Sequence, residues 1–183
     1  MTEDLSIREA TAVDFERIAD LHAASWRVAY RGVFSDAYLD GPIEAERRSI
    51  WRKRFAEIND LVVMIAERAG RPVGFIAWIA AADRGWGGLI DNFHVLPEEK
   101  GKGVGRRLFA AVVRRSLARD PAEGLYLYVL EQNAGARLAY ERLGGMPVES
   151  LLKPEPDGRE HVVLRYAWAA NDLAAGSEPK SPI

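Results

Sequence analysis

The stretch "LIDNFHVLPEEKGKGVGRRLFAAVV", residues 89–113, carries the reading on which the fold turns. Its first seven residues, Leu89–Val95, form a strand pattern closed off by Pro97. Its end is a helix pattern. Val104, Leu108, Phe109, Val112 and Val113 recur every three to four residues and mark one core-facing stripe. Between the two stand three glycines, Gly101, Gly103 and Gly105, and four cations, Lys100, Lys102, Arg106 and Arg107. A helix N-terminus already carries partial positive charge, so cations gathered there repel it unless an anion sits among them.

Three glycine-loop chemistries compete for this segment. A phosphate loop of the G-x-x-x-x-G-K-[ST] type needs Gly-Lys followed by Ser or Thr, which does not occur in the chain. A dinucleotide fingerprint G-x-G-x-x-G, started at Gly101 or at Gly103, meets Arg106 or Leu108 where its third glycine belongs. The third chemistry is a strand, a short loop and a helix whose free N–H groups face a pyrophosphate. Glycines let the backbone approach the anion, and Lys100, Lys102 and Arg106 add charge around it. The competing reading is a solvated, glycine-frayed helix start. Strand, triple glycine, cations and amphipathic helix in one run favour the phosphate.

Working outward, "LSIREA" opens the chain as a short strand, and Thr11–Asp14 resembles a capping box with Asp in place of Glu. Phe15, Ile18, Leu21 and Val28 then predict a first helix to about Tyr30, and a highly charged second helix covers Ile43–Ile58. "LVVMIAER" and "PVGFIAWIAA" read as strands of a hairpin joined through "AGRP". After the glycine segment come a strand, "GLYLYVL", and a helix in "NAGARLAYERLGG" with Asn133 as N-cap and Gly144 or Gly145 as its stop. "MPVESLL" and "HVVLRYAW" flank a turn carrying Asp157-Gly158. The fold class is therefore α+β: a mixed, largely antiparallel central sheet of about seven strands flanked by about four helices. Residues 1–168 read as a single domain and residues 169–183 as a loose tail.

The totals exclude several functions. Net charge is −2 and charged residues make up 28%, so the basic cluster is local and no general nucleic-acid or membrane-surface binding is expected. The absence of cysteine removes disulfides, thiolate metal sites and a cysteine nucleophile. His22, His94 and His161 lack metal-ligand spacing, so no metal is expected, and dispersed histidines imply no shared role. No signal-peptide pattern opens the chain, and the longest apolar run is too short to span a bilayer as a helix. A cytoplasmic protein is the expectation.

These motifs resemble those of the GNAT acyltransferase superfamily, which transfers acyl groups from acyl-CoA to amines. Its glycine motif [Q/R]-x-x-G-x-[G/A] is similar to Lys100-x-x-Gly103-x-Gly105 here, with Lys at the first position. "DNFHVLPE" looks like the strand before it. "NAGARLAYERLGG" looks like the later Asn–Tyr–Gly motif, and "SWRVAYRGVFSDAYLD" resembles the first helices and substrate loop of many bacterial members. The likeness covers roughly residues 5–168.

The resemblance implies acetyl-CoA as donor and a primary amine of a small molecule or peptide as acceptor, in a ternary complex without a protein-bound intermediate. It also implies pairing as a homodimer. The pantetheine arm would lie between the fourth and fifth strands against backbone groups of Phe93 and Val95. The pyrophosphate would lie on Lys100, Gly101, Lys102, Gly103, Val104, Gly105 and Arg106, with Asn133 and Tyr140 completing the donor site. Tyr140 would protonate the leaving thiolate, or else be a core tyrosine. Leu89 stands where many members place a catalytic Glu, and Asp91, on the same face by strand alternation, is the candidate base, or else a polar anchor at a strand start. Trp26, Tyr30, Phe34 and Tyr38, with Trp51 nearby, would wall the acceptor pocket, or else simply pack. The charged run "EAERRSIWRKRF" reads as a solvated helix face. A non-catalytic acyl-CoA-binding or sensing module is the alternative, supported by Leu89, and a dinucleotide-dependent enzyme is disfavoured by the glycine spacing.

Overall fold

A computed structural model of the chain describes residues 4–155 and 158–177. Seven strands form one sheet in the order β1-β2-β3-β4-β5-β7-β6. They are β1 (Leu5–Glu9), β2 (Leu61–Arg68), β3 (Arg71–Asp83), β4 (Gly87–Val95), β5 (Leu125–Leu130), β6 (Met146–Pro154) and β7 (Glu160–Trp168). Only β4 and β5 run parallel; every other neighbouring pair is antiparallel. The helices are α1 (Phe15–Ala29), α2 (Asp36–Leu39), α3 (Ile43–Glu57), α4 (Val104–Arg119), α5 (Ala134–Arg142) and α6 (Ala170–Ser177).

The α+β class and the seven-stranded, largely antiparallel sheet are as the sequence predicts, with two helices beyond the four expected. One, α2, is a single turn that Ser35 caps by accepting from the Tyr38 N–H. The other, α6, occupies part of the stretch expected to be loose. It is held there because Leu173 is buried in the main core. Residues 178–183 of that expected tail, and Asp157 of the expected turn, lie outside the described residues; Gly158 has φ +79°. The hairpin link between β2 and β3 is tighter than "AGRP". Only Ala69 and Gly70 lie between the strands, both with positive φ, as the right-handed strand twist favours.

Two layers cover the sheet. On one face α4 packs its Val104, Leu108, Phe109, Val112 and Val113 stripe against Ile76, Trp78 and Ile90 of β3 and β4. On the other, α1 and α3 set Ile18, Leu21 and Trp51 against Val63, Ile65, Phe75 and Ala77. Covered on both faces, β3 is apolar almost without alternation through its buried middle. The Thr11 N–H donates to Asp14 Oδ2 at 3.0 Å, as in the expected capping box, and Arg8 holds the same carboxylate at 2.7 and 2.8 Å. Two expectations about the helices change. Val28, in the last turn of α1, faces solvent instead of the core, since the buried face of the helix ends at Trp26. The charged α3 is not wholly a solvated face, since Arg47 and Trp51 point into the molecule.

Candidate acyl-transfer site

The site begins where the sheet opens. β4 and β5 are paired only at Gly88↔Leu125 and Leu89↔Tyr126 and then part. Beyond Leu89, β4 keeps its β3 partner on one edge and has no strand on the other. Near the end of β4 the Leu96 N–H donates to the Val73 carbonyl at 3.0 Å. Antiparallel pairs alternate between bonded and non-bonded, so Asn92 and His94 spend their backbone groups on β3. Phe93 and Val95 therefore turn theirs toward the gap.

The glycine segment lies at this edge. A Cβ placed on Gly105 would meet the Phe93 ring at 3.6 Å and Val95 Cγ2 at 3.8 Å, so the first turn of α4 rests on the gap side of β4. Gly101 and Gly103 have φ of +77° and +80°, a backbone that side-chain-bearing residues adopt at a cost. The first bond within α4 runs from the Arg107 N–H to the Gly103 carbonyl. The N–H groups of Val104, Gly105 and Arg106 precede it and have no carbonyl in the helix. Lys100 and Arg106 are exposed and have no carboxylate partner among the described residues. Lys102 instead reaches Glu99 at 3.1 Å, and Arg68 grips the same buried carboxylate, so this pair shapes the loop from beneath. Those two cations hold the Glu99 carboxyl below its usual range, Lys102 more than Arg68.

Tyr140 crosses the gap on the α5 side. Its ring stacks on Phe93 of β4 at 6.1 Å and meets Tyr166 of β7 edge-on at 5.9 Å. Burial pushes its hydroxyl well above the ordinary phenol value, with the Tyr30 charge adding to it, so the group stays protonated. Asn133 caps α5 by accepting from the Ala136 N–H at 3.1 Å, as expected.

Asp91 marks an irregularity that periodicity hides. Ala77 pairs with Asn92 and Trp78 with Ile90, which leaves Asp91 as an extra residue, a bulge in β4. The bulge reverses the alternation after it. Asp91 meets Arg54 of α3, and the Asn92 amide donates to the same Oδ2 at 2.5 Å. Asp91 thus shares Leu89's face, as expected, but not that of Phe93. His94 lies on the Asp91 side of the sheet. Its Nδ1 is 3.1 Å from Ser25 Oγ, and its ring is 4.6 Å from that of His22.

Two of the three histidines are therefore neighbours rather than dispersed. His22 Nδ1 accepts from the Trp51 indole at 3.0 Å, which puts its proton on Nε2. Burial lowers the His22 pKa well below the usual value, and burial with the Arg47 and Lys100 charges lowers that of His94 to about 3.

The four expected acceptor-side aromatics come together as one chain of rings. Trp26–Tyr30, Tyr30–Phe34 and Phe34–Tyr38 centroids are 4.8, 4.9 and 6.1 Å apart. Trp26 and Phe34 are buried against Leu130 and Val163, while Tyr30 and Tyr38 are only part-covered. Burial raises the Tyr30 phenol to about 12, with the Glu155 charge adding to it. Trp51 belongs to the core behind α1. A cleft of about 410 Å³ lined by Gly32, Val33, Phe34, Ser35, Asp36 and Arg159 adjoins Phe34. Sequence reasoning missed Arg54, the His22–His94 contact and the side chains of Trp86, Tyr126, Tyr128 and Arg165. Only the last group left a trace, since "LYLY" alternates Tyr126 and Tyr128 onto one face. Among the described residues no His, Asp and Glu cluster could hold a metal, and no helix is long and apolar enough to cross a membrane.

Comparison with known proteins gives the same outline. The profile of the Acetyltransferase (GNAT) family matches residues 15–145. An uncharacterized N-acetyltransferase of Archaeoglobus fulgidus is 33% identical over 158 residues, 84% of this chain and 97% of that protein. Among solved structures, the PaiA N-acetyltransferase of Thermoplasma acidophilum in complex with coenzyme A superposes with a TM-score of 0.68 at 16% identity, covering 90% of this chain and 99% of that one. The spermidine/spermine N-acetyltransferase SpeG of Vibrio cholerae does so with a TM-score of 0.66 at 20% identity, covering 96% and 100%.

Proposed function

The chain belongs to the acetyltransferase (GNAT) family, and we propose on that basis that it moves the acetyl group of acetyl-CoA to a primary amine of a small molecule or peptide, by direct attack in a ternary complex. The observation that carries this reading is the parting of β4 from β5 beside the free amides of α4. The gap leaves one edge of β4 without a strand neighbour, open to an extended ligand, and the helix start at its mouth suits a diphosphate. In this reading the pantetheine arm pairs with the backbone of Phe93 and Val95, and the pyrophosphate lies on the amides from Gly101 to Arg106, flanked by the cations Lys100 and Arg106, with Lys102 held to Glu99 beneath the loop.

An unperturbed aliphatic amine, pKa about 10, arrives mostly as ammonium. It must first lose a proton, and Asp91, directly or through a water on Oδ1, is the acceptor. The nitrogen lone pair then attacks the thioester carbonyl, whose oxygen gathers negative charge toward the Val95 N–H. The carbon–sulfur bond breaks, the nitrogen gives up its second proton, and Tyr140 hands one proton to the thiolate and is reprotonated. The products are the N-acetyl amine, coenzyme A and one proton released. Trp26, Tyr30, Phe34 and Tyr38 form the acceptor side.

We further propose that the protein works in the cytoplasm. It would pair through the open edge of β6, where Met146, Val148 and Leu152 are exposed; sedimentation at micromolar concentration reports this.

The test of transfer is release of free thiol from acetyl-CoA against a panel of amines, with mass spectrometry of the product, and a thermal-shift measurement with acetyl-CoA, coenzyme A and NAD. Acetyl-CoA and coenzyme A should protect and NAD should not. Protection by coenzyme A without turnover of any amine would favour the non-catalytic binding module instead.

A further inference from the structure

On the Asp91 side of the sheet, beyond the cover of α1 and α3, the floor of β5, β7 and β6 is built from cations and tyrosine rings. Tyr128 of β5 lies opposite Arg165 of β7, which in turn lies opposite Glu149 of β6. The Arg165 guanidinium donates to the Tyr128 hydroxyl at 2.6 Å and pairs with Glu149 at 2.5 Å. It packs over Trp86 at 4.7 Å and against the Tyr128 and Tyr126 rings at 5.1 and 5.6 Å. Its Nε is buried and without a partner. Lys153 of β6 sets its ammonium 3.3 Å from the centre of the Tyr128 ring, and no carboxylate pairs with it among the described residues. One tyrosine thus serves two cations, and among the described residues a single carboxylate, Glu149, is paired with either of them. Arg54 already occupies Asp91, so that acid does not offset the surplus.

This floor adjoins the reacting centre. Tyr126 is the register partner of Leu89, at the point where β4 and β5 part, and it lies near enough to Asp91 to feel its charge. Tyr128 also packs into the aromatic cluster that holds Trp26 and Phe34. A molecule lying along Tyr126 and Tyr128 with its amine toward Asp91 would carry its other end over Lys153 and Arg165.

We infer that the acceptor is an amine bearing an anionic group, a carboxylate or a phosphate, held by Lys153 with the charge of Arg165 beside it. An ammonium without a carboxylate partner on a half-buried aromatic face, next to a guanidinium, is a site for an anion, and it repels the far end of a polyamine. The inference deepens the acetyl-transfer reading and rests on it for the place of the amine.

The test uses matched pairs that differ only in the anion: β-alanine and β-alaninamide, phenylalanine and phenylalaninamide, O-phosphoethanolamine and ethanolamine, with spermidine as the cationic control. In the wild type the anionic member of at least one pair should exceed its neutral partner by about tenfold or more in kcat/KM, and spermidine should be the poorest acceptor. Lys153→Glu should erase or invert that ratio, and Lys153→Met, which keeps the stem packed on Tyr128, should reduce it. A second arm measures thermal protection of the protein loaded with coenzyme A by the same pairs, and needs no turnover. Anionic members that protect better, and lose the advantage in Lys153→Glu, support the site even if no transfer occurs; that combination would sink the acetyl-transfer reading alone. Equal ratios within every pair in both arms, a preference for spermidine, or a ratio that Lys153→Glu leaves unchanged would overturn the inference.

Discussion

At the scale of the residue, Tyr140 is the side chain whose proposed role is most exposed to test. Its ring bridges β4 and β7, and its hydroxyl keeps its proton because burial raises the phenol. Tyr140→Phe preserves the ring contacts and removes only the proton donor. Turnover should fall by about 10- to 100-fold, at or below the low end for a general acid, since a thiolate leaves tolerably without help. The dissociation constant of acetyl-CoA by calorimetry should barely move, and loss of binding in parallel with turnover would mean that the ring, not the proton, matters. His22 and His94 give a second prediction. Both are neutral in the folded protein and titrate near 6.5 in the unfolded chain, which therefore binds more protons as the medium is acidified. Stability is complete above that value and falls as pH drops below it, by up to about 1.4 kcal/mol per pH unit for each histidine. Urea midpoints measured from pH 7 to pH 5 should show this slope, and His94→Phe should roughly halve it. Neither this pair nor the Arg54–Asp91 contact was legible in the sequence. Each joins residues far apart in the chain, and local spacing is silent about such contacts. Asn133 was legible because a cap depends only on its own helix.

At the scale of the element, the strand–glycine–helix unit was legible almost whole, since alternation, glycine and a three-to-four stripe are local signals. The bulge at Asp91 was not, because a strand with one extra residue looks like any other until its partner is known. The two glycines that open α4 make separable predictions. Gly103 has φ +80° and open space around it, so Gly103→Ala strains the backbone alone and should cost about 1 kcal/mol of stability, seen as a lower urea midpoint. Gly105 is helical, and a Cβ there meets Phe93 and Val95 at ordinary contact distance. Gly105→Ala should therefore leave the midpoint unchanged or slightly raised, since alanine is the better helix former. Coenzyme A binding should change by no more than about twofold, since the motif that this segment resembles admits alanine at that position and the new methyl group faces Phe93 and Val95. A clear loss of stability would mean that those side chains leave no room for it.

At the scale of the whole molecule, the surprise is α6. Its sequence, "ANDLAAGS", carries one large apolar residue, too little for periodicity to flag. What holds it is tertiary: Leu173 is 4% exposed and sits in the same core as Phe109 and Trp168. Leu173→Ala should cost about 2–4 kcal/mol, or roughly 5–10 °C in melting temperature for a chain of this size. A loose tail would show no change. The opened sheet has a further meaning when set against chain order. In the sheet, the strands through β4 lie on one side of the seam and those from β5 onward lie on the other, while α6 crosses back to pack on α4. The two banks share the Gly88 and Leu89 rungs, a common oily interior and a few contacts across the seam, such as Arg159 to the Val33 carbonyl and Arg165 over Trp86. The polypeptide is thereby written as two consecutive halves, and the exposed turn around Asp120–Ala122 is the natural place to sever it into complementing fragments. Reunited, such fragments would report, by the act of joining, whatever fills the channel between them.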